Sequence, residues 1–227
     1  HQYGYFVSVS LQYKIAYLFL VVNEKDRHKR INALTNFVFI IAAWTTWKHG
    51  HRLGKLSNPI WVLIGLMVSI GIGSFLFHTY PTNLTKFLDI LPILLFQFVF
   101  MWVYIRRIIQ LRRIYAIGFL VGYIFIALLG RQFPHLLNGS LSYVPAIFLL
   151  LGLGLYHLID KKRERFILLI ALAVFSLALF FRTIDAMICP YFSIGTHFLW
   201  HIINGVLVYL TARAIILNLP QAPQIKS

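Results

Sequence analysis

The sequence predicts an all-α membrane protein: a seven-transmembrane helix bundle, preceded by an N-terminal segment that is either an extra span or interfacial. Three observations carry this reading. The 227 residues are 59% hydrophobic and only 12% charged, with a mean hydropathy of +0.77. Apolar runs close to the ~20 residues needed to cross a bilayer recur along the chain. Backbone amides find no water partner in hydrocarbon, which admits only helices or a closed barrel, and continuous rather than alternating apolar runs select helices.

Residues 3–22 come first and are ambiguous. From Val7 to Ile15 apolar and polar residues alternate, before an unbroken apolar stretch to Val22, so the segment fits an eighth span, an interfacial helix or a flap. Seven spans follow at 32–48, 58–78, 86–105, 113–130, 141–158, 166–182 and 196–217. In the second, Gly71-Ile72-Gly73-Ser74 places small residues where a neighbouring helix can approach closely. Pro81 and Asn83 turn the chain into the third span, and Asp185 precedes the seventh. The connections are short, so the chain reads as segment 1–31 and one seven-helix transmembrane domain, 32–227.

The net charge of +15 does not mark a nucleic-acid binder, because the cations punctuate loops instead of lining one soluble face. Lys48, Arg52, Lys55, Arg106, Arg107, Arg112, Arg113, Lys161, Lys162, Arg163 and Arg165 put 11 on one side, against Lys86, Arg131 and Arg182 on the other. The positive-inside rule assigns the first group to the cytoplasm, although the cluster Lys25, Arg27, Lys29, Arg30 runs against it. A single cysteine, Cys189, leaves no internal disulfide. No lysine occupies the middle of a span, so retinal is not expected. Oligomeric state is not legible.

The polar residues inside this apolar chain carry the chemistry. Ser74-x3-His78, with Asp89 after it, and His197-x3-His201 each project from one face of a helix, because i and i+4 are neighbours. Between Asp89 and His197 the chain crosses the bilayer four times, an even number, so both sets lie near one membrane face. Ionisable groups at that depth are expensive unless they have a function. Three neutral imidazoles with an open fourth position form a catalytic zinc geometry, in which the metal acidifies a water molecule. Asp89, alone among six acids within a run as apolar as Phe87-Leu88-Asp89-Ile90-Leu91, is the candidate base. Ser74 is a hydrogen-bond donor to water or to a developing oxyanion.

Other polar residues have blander readings. His49, His51, His135 and His157 are read as interfacial histidines with satisfied hydrogen bonds. Arg182 and Asp185, at i and i+3, are expected to form an ion pair at the site mouth, with a headgroup contact through Arg182 as the alternative. Cys189 is expected to be packed and not a ligand. Trp200 packs against lipid or a neighbouring helix, or lines an acyl channel.

At these residues the chain resembles the alkaline ceramidases, within a superfamily of seven-helix membrane hydrolases that includes the progestin/adipoQ receptors. Gly73-Ser74-Phe75-Leu76-Phe77-His78 followed by Leu88-Asp89-Ile90-Leu91-Pro92 is similar to the family pattern G-S-x-x-F-H…D-E-L-P. His197-Phe198-Leu199-Trp200-His201 looks like H-x-x-W-H, and Asn32-Ala33-Leu34-Thr35-Asn36 is similar to the first-span N-T-x-S-N. The resemblance implies zinc held by His78, His197 and His201, with Asp89 and Ser74 as catalytic residues cleaving the amide of an N-acyl sphingoid lipid. Ile90 replaces the usual Glu, and the acidic calcium-binding segment of the animal enzymes has no counterpart, so calcium is not expected. Arg182-Thr183-Ile184-Asp185 and Cys189-Pro190 look more like the bacterial branch. The competing expectations are an ester hydrolase acting on phospholipid or GPI lipid, and a non-catalytic seven-helix receptor containing a metal.

Overall fold

The computed structural model describes residues 28–220; the expectations for 3–22, and most of segment 1–31, lie outside them. Seven α-helices follow in order: α1 (Phe37–Arg52), α2 (Asn58–Thr79), α3 (Asn83–Val103), α4 (Arg113–Arg131), α5 (Val144–Ile159), α6 (Ile167–Ile188) and α7 (His197–Asn218). Six segments are long and apolar enough to cross a membrane: α2, α3 with its extension to Ile108, α4, α5 with the turn before it from Leu136, α6 and α7. The chain is an integral membrane protein. α1 spans 16 residues and is preceded by helical residues 28–35, with a turn at Asn36.

Local signals set the boundaries. Pro59 opens α2, where its missing N–H is no loss, and Pro145 does the same for α5. Thr82 and Thr85 form a reciprocal capping box at the start of α3, satisfying two backbone donors that have no intrahelical partner. Asn36 breaks the lead-in to α1. Its side-chain amide donates to the Asn32 carbonyl at 2.8 Å, and this local bond competes with the helical ladder. α3 ends in a π-helical turn, Tyr104–Ile108.

Each helix packs on the next around a ring that α7 closes on α1, and α7 also reaches α2 and α3 across the middle. The core comes from Leu63, Met67 and Ile70 of α2, Phe100 and Met101 of α3, Leu168 and Ala171 of α6, and Ala212 and Ile215 of α7. α4 is peripheral, with only Ala116 and Tyr123 buried. Large apolar side chains such as Trp61, Ile117, Phe125 and Phe180 face outward, as a lipid solvent permits. At the basic end of the bundle, Glu164 pairs with Arg213 and ties the α5–α6 loop to α7.

His157 departs from the sequence reading. It is fully buried, its two ring nitrogens have no hydrogen-bond partner, and its ring lies 5.6 Å from that of Tyr104. Helix packing, invisible to a local reading, turns it inward. His49 departs too, its buried Nε2 having no hydrogen-bond partner among the described residues; His135 and His51 are exposed.

Candidate active site and metal centre

Histidines 78, 197 and 201 converge. His78 lies at the end of α2 and the other two occupy the first two turns of α7. Ring centroids are 5.3 Å apart for His78–His197 and 4.8 Å for each of the other two pairs. One ligand nitrogen from each lies within 4.8 Å of the others. His201 is only 3% exposed. Three imidazoles turned toward one point, in a setting this dry, are suited to hold a metal ion of borderline softness. The donor chemistry fits: among the described residues the His78 and His197 rings accept no hydrogen bond, and His201 is engaged only at Nδ1, by Asn36.

Asn36 Oδ1 sits 2.5 Å from His201 Nδ1. An amide oxygen is an acceptor, so Nδ1 carries the proton and Nε2 is left as the lone-pair nitrogen. The sequence reading quoted Asn36 only within a motif. Its signal was present all the same, a carboxamide in an apolar span.

The second half of the site depends on a close crossing of α2 and α3. A Cβ placed on Gly73 would stand 2.1 Å from the Leu88 carbonyl oxygen, so any side chain there would push α3 away. Pro92 inside α3 has no N–H to offer the Leu88 carbonyl four residues earlier, and that unclaimed oxygen is the one facing Gly73. The crossing sets the next residue of each helix side by side: Ser74, 5% exposed, lies close enough to the half-buried Asp89 carboxylate to act on it as a hydrogen-bonding group. Ser74 is one turn from His78, which sets the carboxylate at the same end of the bundle as the histidines.

Asp185 does not pair with Arg182. Its Oδ1 accepts from the backbone N–H groups of Thr196 at 2.6 Å and His197 at 2.9 Å, capping α7 and fixing where His197 begins. Two backbone N–H groups, the Thr196 hydroxyl and the positive helix terminus outcompete one guanidinium for this carboxylate. Arg182 instead donates to the Asn138 carbonyl at 2.8 Å and to Ser140 Oγ at 3.1 Å. Its guanidinium lies over the rings of Tyr143 and Trp200. It thereby clamps a turn in which Leu137, Asn138 and Gly139 all adopt positive φ, a strained run that tertiary bonds must hold.

That turn delivers Tyr143, which the sequence reading missed. The Tyr143 ring lies under the Arg182 guanidinium at 5.2 Å, its hydroxyl lies within electrostatic reach of Asp89, and it meets Trp200 edge-on at 5.2 Å. Nothing local in the sequence marks it. Trp200 turns inward: with Tyr143, Ile70, Ile93, Gln97 and Asn204 it lines a narrow cavity of about 80 Å³ just beneath the histidines. His28 also lies near enough to act electrostatically on His78 and His197. Cys189 is exposed, not packed as expected. Partial desolvation of its sulfur and the nearby Asp185 raise the thiol above its usual range, which disfavours the thiolate a metal requires.

No curated protein and no solved structure matches the chain. A protein-family model described as Ceramidase matches residues 29–221, which takes in all seven helices and every residue of the site. The chain therefore belongs to the ceramidase family, amidohydrolases that act on ceramide.

Proposed function

We propose that this protein is a zinc-dependent intramembrane hydrolase that cleaves the amide bond of an N-acyl sphingoid lipid, releasing a fatty acid and a long-chain amine. The observation that carries the reading is the convergence of three imidazoles from two helices with a carboxylate–hydroxyl pair, directly above a narrow apolar cavity. A zinc ion held by His78, His197 and His201 would supply Lewis-acid activation of water and of the scissile carbonyl.

The chain's own residues do the rest. Asp89 takes a proton from the attacking water and delivers it to the amine nitrogen as the C–N bond breaks; an amine cannot leave as its anion. Ser74 donates to the Asp89 carboxylate and fixes which oxygen faces the substrate. Asn36 holds His201 in the tautomer that presents Nε2. Trp200 and Arg182 flank the route by which the lipid reaches the carbonyl. The site opens to the extracytoplasmic side, a reading supported by 11 loop cations at the opposite end against Lys86, Arg131 and Arg182 on the site's side, with the cluster Lys25, Arg27, Lys29, Arg30 running against it.

The test presents purified protein with matched amide and ester lipids in nanodiscs. The expected result is fatty acid and long-chain amine released from ceramide, about one zinc per chain, and loss of both metal and turnover in His201→Ala. Cleavage of the ester alone, or turnover that survives metal removal, would overturn the proposal.

A further inference from the structure

A glycine in a helix interior is disfavoured by about 1 kcal/mol relative to alanine, so each one calls for a packing reason. Six have one: a Cβ on Gly73, Gly130, Gly154 or Gly205 would stand 2.1, 2.5, 2.6 or 2.5 Å from an atom of another element, and one on Gly50 or Gly71 would stand 2.7 or 3.1 Å from its nearest neighbour. Gly65 of α2, Gly118 and Gly122 of α4 and Gly152 of α5 have none: a Cβ on any of them meets nothing within 4 Å. The last three face the same place, a groove of about 680 Å³ between the end of α3, α4 and α5. No atom of the chain fills the space these glycines keep open.

The lining of the groove carries no charged residue. At the end where Ile105, Ile109, Leu111 and Ile114 line it, their neighbours in sequence are Arg106, Arg107, Arg112 and Arg113. Arg106 is engaged by the Leu111 carbonyl. Arg107, Arg112 and Arg113 are exposed and have no hydrogen-bond or ion-pair partner among the described residues. This is the basic end of the bundle, opposite the histidines.

We propose that the groove binds an anionic phospholipid, one acyl chain lying on Gly118, Gly122 and Gly152 and the phosphate paired with Arg107, Arg112 and Arg113. The volume is that of a ligand site, and guanidinium is the side chain best matched to phosphate. A second copy of this chain is the poorer occupant. A two-fold axis along the membrane normal would bring both arginine clusters together at one membrane face, where like charges repel.

The test follows thermal stability and native mass spectra of the purified full chain in neutral detergent, titrated with phosphatidylglycerol or with phosphatidylcholine of the same chains. Phosphatidylglycerol is expected to stay bound and raise Tm, and phosphatidylcholine to do neither. Removing the three arginines together should weaken phosphatidylglycerol binding by about fivefold per arginine, the equivalent of about 1 kcal/mol each. Gly122→Phe fills the groove and should abolish the response. Gly122→Ala, which leaves most of the space open, should keep it and controls for folding. Equal stabilisation by both lipids, a full response in Gly122→Phe, the same shift from soluble glycerol phosphate, or a dimer that buries the groove would each overturn the proposal.

Discussion

Asn36 accepts from Nδ1 of His201 across the interface between the head of α1 and the first turns of α7, a contact between residues 165 positions apart. It fixes at once the tautomer of one imidazole of the candidate metal centre and the angle of its ring. Replacing Asn36 by Leu is therefore expected to weaken metal binding by about 10–100-fold, the range usual for the partner of a ligating histidine. Competitive titration with a zinc chelator measures it. Asn36→Asp, which keeps an acceptor in place, should recover most of the affinity; equal loss in both variants would mean that Asn36 acts only by packing.

Asp89→Asn should retain metal, because the three imidazoles are untouched, while turnover falls by about 10²–10⁴-fold, the contribution typical of a general base. Metal content by elemental analysis and single-turnover hydrolysis separate the two effects. Wild-type rates in this variant would leave Asp89 without a chemical role.

Gly73→Ala tests the crossing of α2 and α3 and not any reacting group. The added Cβ would overlap the Leu88 carbonyl, so α3 must shift and carry Asp89 away from Ser74. A displacement near 1 Å can lower catalysis by about 10²-fold, and that is the expected loss, with metal content unchanged. Unchanged turnover would show that the helices can absorb the methyl group elsewhere.

Asp185→Ala removes the cap of α7 and is expected to destabilise the protein by about 1 kcal/mol. A Tm measurement reads that loss. Metal affinity should fall as well, because His197 follows immediately on the capped turn. Arg182→Lys is the informative contrast: with no ion pair to Asp185 to lose, it should spare the cap while loosening the 136–143 turn and Trp200.

A cysteine placed in the Lys161–Arg165 loop, with Cys189 replaced first, should be shielded from an impermeant thiol reagent in intact cells and react after lysis. Labelling before lysis would place the site on the cytoplasmic face.

Much of this was legible without coordinates because it is local. A chain this apolar has lipid for solvent, and lipid leaves the backbone no partner but itself, which fixes helices and roughly where each crosses. The i, i+4 spacing of His197 and His201 puts both on one face of whatever helix forms, and counting crossings brings Asp89 and His78 to the same depth. Tertiary structure decided everything that depends on which faces of distant helices meet. Small residues allow such meetings without announcing them: Gly73 only matters because Leu88 is opposite. Asp185 had only Arg182 as its expected partner in sequence, and the open N-terminus of α7 took it instead. Tyr143 reaches the site only through a strained turn clamped by Arg182, and His157 is buried by the packing of its neighbours, outcomes that no periodicity encodes.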